Sequence, residues 1–251
     1  MAPLIIAHRG DSAHRPENTL ASFASALEQG ADLVEFDIQL SKDGQVVVIH
    51  DPTLDRTTSG RGKVSELTLA EIRSVSAGYP ERFGAAFAGE RVPVLAEVLG
   101  LLRGRAKAMI EIKSDSVTDA EEDGIEALMI AEIRRAGMEN EVALISFDRR
   151  ALGRCRALAP ELVRGHLFYR ATPEEVLEGA GAVACRLVMP EKGMLSEELR
   201  DQAKRAGLRV ATWVVDDPEE LQVLARFDLY GIGSNRPGVM LEALRDGDGL
   251  R

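Results

Sequence analysis

The chain has few cysteines and few aromatic residues. Its 251 residues include two cysteines, four histidines and one tryptophan, and aromatic side chains make up 4% of the total. So few cysteines exclude a small domain held together by disulfides, and we expect Cys155 and Cys185 to be free thiols in a reducing cytoplasm. The scarcity of aromatic side chains disfavours a surface on which nucleic-acid bases stack.

Positive charge is also in deficit, because 31 Lys and Arg residues stand against 41 Asp and Glu residues and give a formal net charge of −10. This balance argues against broad nucleic-acid binding, which needs a basic face, and against electrostatic docking on anionic lipid. No apolar run approaches the roughly 18 residues of a membrane helix, and residues 1–3 lack the basic start of a signal peptide. We expect a cytoplasmic protein with no nucleic-acid partner and no stable membrane anchor.

The chain does contain a repeated pattern of helix, glycine or turn, and short β-rich segment. Strands that alternate with helices predict parallel pairing, and 251 residues suit one large α/β domain. We therefore predict that residues 1–251 form a single TIM-type (β/α)₈ barrel, with a small insertion after the second strand. The insertion is segment 51–93, which breaks the repeat and which we expect to lie over the barrel mouth. The predicted strands are 4–7, 33–40, 45–50, 108–112, 142–147, 162–167, 183–188, 208–215 and 230–233.

These nine strands are one more than the barrel needs, and the extra one is 45–50. Only four residues separate it from strand 33–40, and a link that short permits a hairpin but excludes a helical crossover. Such a hairpin would bring His50, at the end of its second strand, beside Glu35 and Asp37 on its first.

Three carboxylates lie within apolar strands. Residues two apart in a strand point to the same side, so Glu35 and Asp37 face one way, as do Glu111 and Lys113. Charges that point into an apolar barrel are costly unless they are paired or bound to metal. Oxygen ligands alone suit Mg²⁺ or Ca²⁺ better than zinc. We predict that Glu35, Asp37 and Glu111 bind a divalent cation; the alternative is that one pair faces outward.

His8 and His50 each end a strand, where the active-site groups of such barrels lie. Two imidazoles on opposite sides of a phosphorus atom could act as general base and general acid. Arg9 and Lys113 could hold phosphate oxygens, unless they only pair with the carboxylates. Trp213 could form a wall of a substrate pocket or pack in the barrel core.

At these residues the chain resembles the glycerophosphodiester phosphodiesterase family. The resemblance spans nearly the whole chain and is most specific in the N-terminal half. Its main motifs are Ala7-His8-Arg9-Gly10, Pro16-Glu17-Asn18-Thr19, Glu35-Phe36-Asp37, Lys42-Asp43-Gly44, Val47-Val48-Ile49-His50-Asp51, Leu54-Asp55-Arg56-Thr57-Thr58 and Glu111-Ile112-Lys113. Weaker ones are Ser146-Phe147, Trp213 and Ser234-Asn235-Arg236-Pro237.

The resemblance implies a TIM-type barrel that hydrolyses glycerophosphodiesters to sn-glycerol 3-phosphate and an alcohol, usually with Ca²⁺ or Mg²⁺. Position by position it also implies roles for individual side chains. These are metal ligands at Glu35, Asp37 and Glu111, an acid/base pair at His8 and His50, phosphate contacts at Arg9 and Lys113, and support of the His8-Arg9 loop by Glu17.

Two segments depart from the family's usual sequence. Its late strand often reads Trp-Thr-Val-Asn, whereas this chain has Trp213-Val214-Val215-Asp216, and its closing turn often reads Thr-Asp-x-Pro, whereas this chain has Ser234-Asn235-Arg236-Pro237. We expect both departures to affect the substrate wall more than the chemistry, and they leave open which alcohol is released.

The sequence therefore predicts metal-assisted hydrolysis of a small glycerophosphodiester. The main alternative is a lysophospholipase D or a phosphoinositide phospholipase-like enzyme for a larger lipid, whose apolar entrance Tyr79, Phe83 and Phe87 could line. The two histidines argue against a metal-dependent aldolase or isomerase, and retention of every candidate catalytic group argues against a silent binding module. The native cation, the acid and base assignments, attack by water or by a substrate hydroxyl, and association into a homodimer stay open.

Overall fold

A computed structural model describes residues 2–120 and 123–248. Eight of its strands are parallel and form a closed barrel, because the first strand pairs with both the second and the ninth. The strands are β1 (Leu4–His8), β2 (Leu33–Leu40), β3 (Val46–Val48), β4 (Lys107–Ile112), β5 (Val142–Ser146), β6 (Val163–Phe168), β7 (Leu187–Pro190), β8 (Arg209–Thr212) and β9 (Gly231–Ser234).

Helices connect the strands and cover the outside of the barrel. They are α1 (Leu20–Glu28), α2 (Leu69–Arg73), α3 (Pro80–Phe83), α4 (Leu95–Leu102), α5 (Ile125–Ala136), α6 (Arg149–Leu158), α7 (Pro173–Ala182), α8 (Glu197–Arg205), α9 (Pro218–Leu224) and α10 (Pro237–Asp248). None of the helices in the described ranges combines the length and the apolar composition that crossing a bilayer demands.

The predicted hairpin is confirmed, since β3 runs antiparallel to β2 with Ile38 opposite Val48. The eight-residue strand β2 extends past the end of its parallel neighbour. The first residues of β2 pair with β1, ending at the pair of His8 and Glu35. Beyond this point, on the same edge of β2, its last residues pair with β3. The hairpin therefore leads the chain directly from the carboxylates of β2 to His50.

The predicted strand boundaries differ from the structure most at the start of β7, and the strand predicted at 208–215 also ends early, at Thr212. The pattern placed a strand at 183–188, but β7 begins at Leu187. The preceding residues complete the end of α7, where the backbone N–H of Cys185 donates to the carbonyl oxygen of Ala180. Apolar residues that close a helix have the same composition as those that start a strand.

Alternation along the strands divides the apolar core into two layers. On β2, Val34, Phe36 and Ile38 pack outward against the helices. The barrel interior is filled by a separate apolar cluster, whose buried members are Ile6, Leu33, Met109, Ile145, Leu167, Leu187, Met189 and Ala211. This packing closes the lower barrel and leaves the carboxyl ends of the strands for polar groups.

Segment 51–93 follows β3 and contains α2 and α3. It forms an apolar cluster with β3, built around buried Leu54, Val64 and Ile72. Arg82 fastens the segment to the β1–α1 loop by donating to the carbonyl oxygens of Ser12 and Ala13. The segment thus lies beside the ends of the barrel strands, while the assignment of residues 1–251 to one domain stays a prediction.

Gly10 allows α1 to approach the loop that follows β1, and Gly44 provides a matched comparison in the β2–β3 turn. Both have positive φ, +82° at Gly10 and +74° at Gly44. A Cβ at Gly10 would lie 2.3 Å from Ser22 Oγ, whereas a Cβ at Gly44 would meet nothing within 4 Å.

We predict that Gly10→Ala lowers the free energy of unfolding more than Gly44→Ala does. Both variants incur about 1 to 2 kcal/mol for a left-handed backbone with a Cβ. Gly10→Ala adds about 1 to 3 kcal/mol of overpacking against α1. Urea unfolding of the two variants and the parent protein measures the difference; equal losses would show that the close approach contributes nothing.

Candidate active site

Inward-facing positions of β1, β2 and β4 bring the polar groups together. On β2, Glu35 and Asp37 continue the inward row that begins with Leu33. The strand ladder sets Glu35 beside His8 and Asp37 beside Glu111. The alternative that one carboxylate pair faces outward is therefore wrong, since Glu111 shares the interior with Glu35 and Asp37.

The three carboxylates form a compact oxygen cluster. Glu35, Asp37 and Glu111 are buried, and each offers an oxygen that lies within 4.8 Å of the other two. Asp37 Oδ1 has no hydrogen-bond partner among the described residues. Oxygen donors at this spacing suit a hard divalent cation.

The cluster is electrostatically strained in the absence of a cation. Burial and the Asp37 charge raise the pKa of Glu35 well above its usual value and that of Glu111 to about 7. Burial alone would also raise the pKa of Asp37, but the charges of Arg9 and Lys113 outweigh it and hold this pKa below its usual value. Asp37 thus carries the permanent negative charge of the cluster.

Arg9 and Lys113 pair with the carboxylates and also line the cavity beside them. Arg9 Nε lies 3.2 Å from Asp37 Oδ2, and Lys113 Nζ lies 2.6 Å from Glu111 Oε1 and 3.4 Å from Asp37 Oδ1. The backbone of Arg9 has φ +57°. Its N–H donates to the carbonyl oxygen and to Oε2 of Glu35, which holds this strained turn in place.

The imidazole of His8 reaches into the cavity from the end of β1. Nε2 lies 4.0 Å from Glu35 Oε2, and Nδ1 lies 2.7 Å from Asn235 Oδ1. Burial, helped by the charge of Arg9, lowers the pKa of His8 to about 4. His8 is therefore neutral at pH 7 and able to accept a proton.

His50 faces the same cavity and is held from behind by charged groups. Its Nδ1 lies 2.6 Å from Asp51 Oδ1. Arg56 donates to both oxygens of Asp51 and to both oxygens of Glu17, at 2.6 to 2.9 Å. Since Glu17 also accepts from Arg9 Nη1 at 2.9 Å, one chain of ion pairs joins the two histidine-bearing segments.

The cavity has a volume of about 220 Å³ and two unlike sides. One side carries the polar groups described above, and the other is apolar. Trp213 forms part of the apolar side, with its ring centroid 5.8 Å from that of Phe147, which in turn lies 5.7 Å from that of Tyr169. Of the two alternatives for Trp213, the structure thus favours the pocket wall.

Sequence reasoning assigned no role to Arg56, Phe147 or Tyr169. Arg56 lies within a family motif in segment 51–93, but nothing local marks it as a partner of Glu17 and Asp51. Phe147 and Tyr169 directly follow β5 and β6, and this position at the carboxyl ends of barrel strands is the signal that could have identified them.

Two expectations differ from the structure. Asp216 and Asn235, one residue from each segment that departs from the family pattern, do not line the cavity but form a hydrogen-bonded pair behind His8, with Asn235 Nδ2 donating to Asp216 Oδ2 at 2.7 Å. The aromatic residues of segment 51–93 do not line it either. The Phe83 ring instead packs against those of Tyr79 and Phe87, outside the lining of this cavity.

Comparison with known proteins gives one consistent answer. A family model described as the glycerophosphoryl diester phosphodiesterase family matches residues 8–239. The glycerophosphodiester phosphodiesterase of Caldanaerobacter subterraneus is 39% identical over 98% of this chain and 100% of its own length. That of Bacillus subtilis is 31% identical over 93% of this chain and 84% of its own length.

Solved structures agree with the sequence comparisons. An Oleispira antarctica phosphodiesterase, solved in complex with the product sn-glycerol-3-phosphate, superposes with a TM-score of 0.89. It is 30% identical to this chain, and the match covers 97% of both chains. A Silicibacter pomeroyi protein described as a putative glycerophosphoryl diester phosphodiesterase has a TM-score of 0.88 and 31% identity, over 98% of this chain and 94% of its own.

We predict that Glu111→Gln stabilises the metal-free protein at pH 8 and does so less at pH 5. The folded protein keeps the Glu111 proton up to about pH 7, whereas the unfolded chain loses it near the usual 4.5. The stability of the parent protein therefore falls as pH rises through this window. The variant has no carboxyl group to titrate at this position, so its free energy of unfolding at pH 8 should exceed that of the parent by on the order of 1 to 3 kcal/mol.

Urea unfolding in EDTA at both pH values measures this difference. Glu81→Gln removes an exposed carboxylate on α3 and serves as the control, with no change in stability expected. A Glu111→Gln variant that is less stable than its parent at pH 8 in EDTA would contradict the repulsion described here.

Proposed function

Because the chain belongs to the glycerophosphoryl diester phosphodiesterase family, we propose that this phosphodiesterase hydrolyses small glycerophosphodiesters to sn-glycerol 3-phosphate and an alcohol with a divalent cation. One observation carries the proposal: His8, His50, Glu35 and Glu111 line a single cavity at the carboxyl ends of the barrel strands, and the buried carboxylate of Asp37 lies within 4.8 Å of both glutamates. The product named for the Oleispira antarctica relative supports the same substrate class.

The donor set fits a divalent cation held by Glu35, Asp37 and Glu111. Three buried carboxylates at this spacing repel one another, and Asp37 Oδ1 lacks a hydrogen-bond partner within the described ranges. Because all the donors are carboxylate oxygens, we propose Mg²⁺ or Ca²⁺. Such an ion would supply charge neutralisation at the bound phosphate.

The side chains divide the remaining chemistry. Arg9 and Lys113 orient the phosphate oxygens, the first through its planar guanidinium and the second as a point charge. One of His8 and His50 takes a proton from the attacking oxygen as its bond to phosphorus forms. The other protonates the alcohol oxygen as its bond to phosphorus breaks. The apolar wall that includes Trp213 contacts the carbon atoms of the substrate.

We predict that His8→Gln and His50→Gln each lower kcat on glycerophosphocholine by about 10²- to 10⁴-fold, the usual contribution of a general acid or base. The matched control is His14→Gln, whose side chain is 51% exposed and lies outside the cavity; its kcat should equal that of the parent. Near-normal turnover in both cavity variants would refute the acid/base assignment.

We predict that EDTA abolishes turnover and that added Mg²⁺ or Ca²⁺ restores it. Without the cation, the carboxylates of Glu35, Asp37 and Glu111 repel the phosphate, and no ion between them neutralises the phosphate charge. Phosphate-ester turnover on a panel of glycerophosphodiesters measures loss and recovery for each ion. Asp37→Asn, which removes the permanent charge of the cluster, should require more added ion for the same recovery. Full activity in EDTA would contradict metal dependence.

A lysophospholipase D activity is the second candidate, because the apolar wall extends to Tyr169, whose surface is 60% exposed. A cavity of about 220 Å³ is smaller than the roughly 300 to 1,000 Å³ of typical ligand pockets, so we expect glycerophosphocholine to be hydrolysed with a higher kcat/KM than lysophosphatidylcholine. The reverse order would favour the second candidate. A cytoplasmic location and a homodimer stay predictions.

A further inference from the structure

The imidazole of His8 is held by two residues near the other end of the chain. Asn235, 227 residues later, follows β9 directly, and its Oδ1 lies 2.7 Å from His8 Nδ1. Asp216, in the loop after β8, accepts from the backbone N–H of Asn235 at 2.7 Å and from Asn235 Nδ2 at 2.7 Å. Ser234 Oγ also donates to Asp216, at 2.9 Å.

This arrangement determines which way the Asn235 amide faces. An ionised carboxylate accepts hydrogen bonds and cannot donate them. The NH₂ group of Asn235 must therefore face Asp216, and its oxygen must face His8. Since an amide oxygen only accepts, the proton of this bond lies on His8 Nδ1, and Nε2 keeps its lone pair toward the cavity.

We propose that Asn235 and Asp216 are positioning residues for the hydrolysis: together they hold His8 in the Nδ1–H form with Nε2 directed at the substrate. The inference rests on the proposed role of His8 but does not depend on whether it is the acid or the base. A base needs the free Nε2 lone pair, and an acid that donates from Nε2 still carries a proton on Nδ1. Neither residue contacts the cavity, so both act through His8.

Asp216→Asn should turn the Asn235 amide over and move the His8 proton from Nδ1 to Nε2. The oxygen of the new amide stays on the backbone N–H of Asn235, which cannot turn, so its NH₂ group meets the NH₂ group of Asn235. The Asn235 amide relieves this contact by turning over, which places its NH₂ group against His8 Nδ1. The imidazole proton then moves to Nε2, and the nitrogen that faces the substrate loses its lone pair.

Exchanging the side chains at positions 216 and 235 should restore the Nδ1–H form of His8. In the double variant Asp216→Asn/Asn235→Asp, the carboxylate at position 235 accepts directly from His8 Nδ1–H and from the NH₂ group at position 216. The amide oxygen at position 216 still accepts from the backbone N–H of residue 235 and from Ser234 Oγ. Every hydrogen bond of the parent pair is made again, and the net charge is unchanged.

The test combines imidazole ¹⁵N spectra with kinetics at pH 8. The His8 signals are those that disappear in His8→Gln. We expect Nδ1–H in the parent protein, Nε2–H in Asp216→Asn and Nδ1–H in the double variant. We also expect kcat to fall by about 10²- to 10⁴-fold in Asp216→Asn with little change in KM, and to recover to within about tenfold of the parent in the double variant.

Asp228→Asn is the control, since it makes the same change at an exposed position of the opposite barrel end and should alter neither readout. An Nε2–H signal for His8 in the parent protein would overturn the proposal. This measurement needs no position-216 variant, so the proposal can be tested even if Asp216→Asn does not fold. Parent-like kcat in Asp216→Asn alongside an inactive His8→Gln would also overturn it. Full activity in His8→Gln would instead refute the proposed function.

Discussion

The burial of one negative charge, on Asp37, is the constraint on which the rest of the site depends. Its carboxylate is completely buried within the apolar strand β2, where an unpaired charge would be prohibitively unfavourable. Asn18 donates to it at 2.8 Å, and Arg9 and Lys113 lie within 3.4 Å. These partners belong to two segments, the β1–α1 loop and the end of β4, so compensating this single charge brings both segments into register with β2.

The same charge explains why two further carboxylates can share the site. Arg9 and Lys113 supply enough positive charge for Asp37, but they leave Glu35 and Glu111 under-compensated, as the raised pKa values of both show. The barrel below them is filled by apolar side chains that hold the strands in place. The structure therefore keeps an electrostatically unfavourable cluster at its mouth and stabilises it with packing elsewhere, which is typical of functional sites.

Sequence reasoning reached the features that are local or periodic. Alternation placed Glu35 with Asp37 and Glu111 with Lys113, and the four-residue link before 45–50 predicted the hairpin that delivers His50. Contacts that form only when the barrel closes could not be predicted from the sequence. Asn235 meets His8 because β9 pairs with β1, and nothing near either residue encodes that pairing. For the same reason the departures at Asp216 and Asn235 were assigned to the substrate wall, although each compensates for the other. Arg56 lies in a family motif, but its role could not be predicted because segment 51–93 has no regular period.

Because β1 pairs with β9, residues from the two ends of the chain meet at His8 although they are synthesised at different times. Both histidines and all three carboxylates lie within the first 111 residues, so synthesis by the ribosome produces the whole set of reactive groups early. The support for His8 arrives only with Asn235, after the last strand has been added. A nascent chain that ends before β9 holds these five groups without the hydrogen bond between His8 and Asn235. The fold thus ties the orientation of a side chain made early in synthesis to a strand made much later.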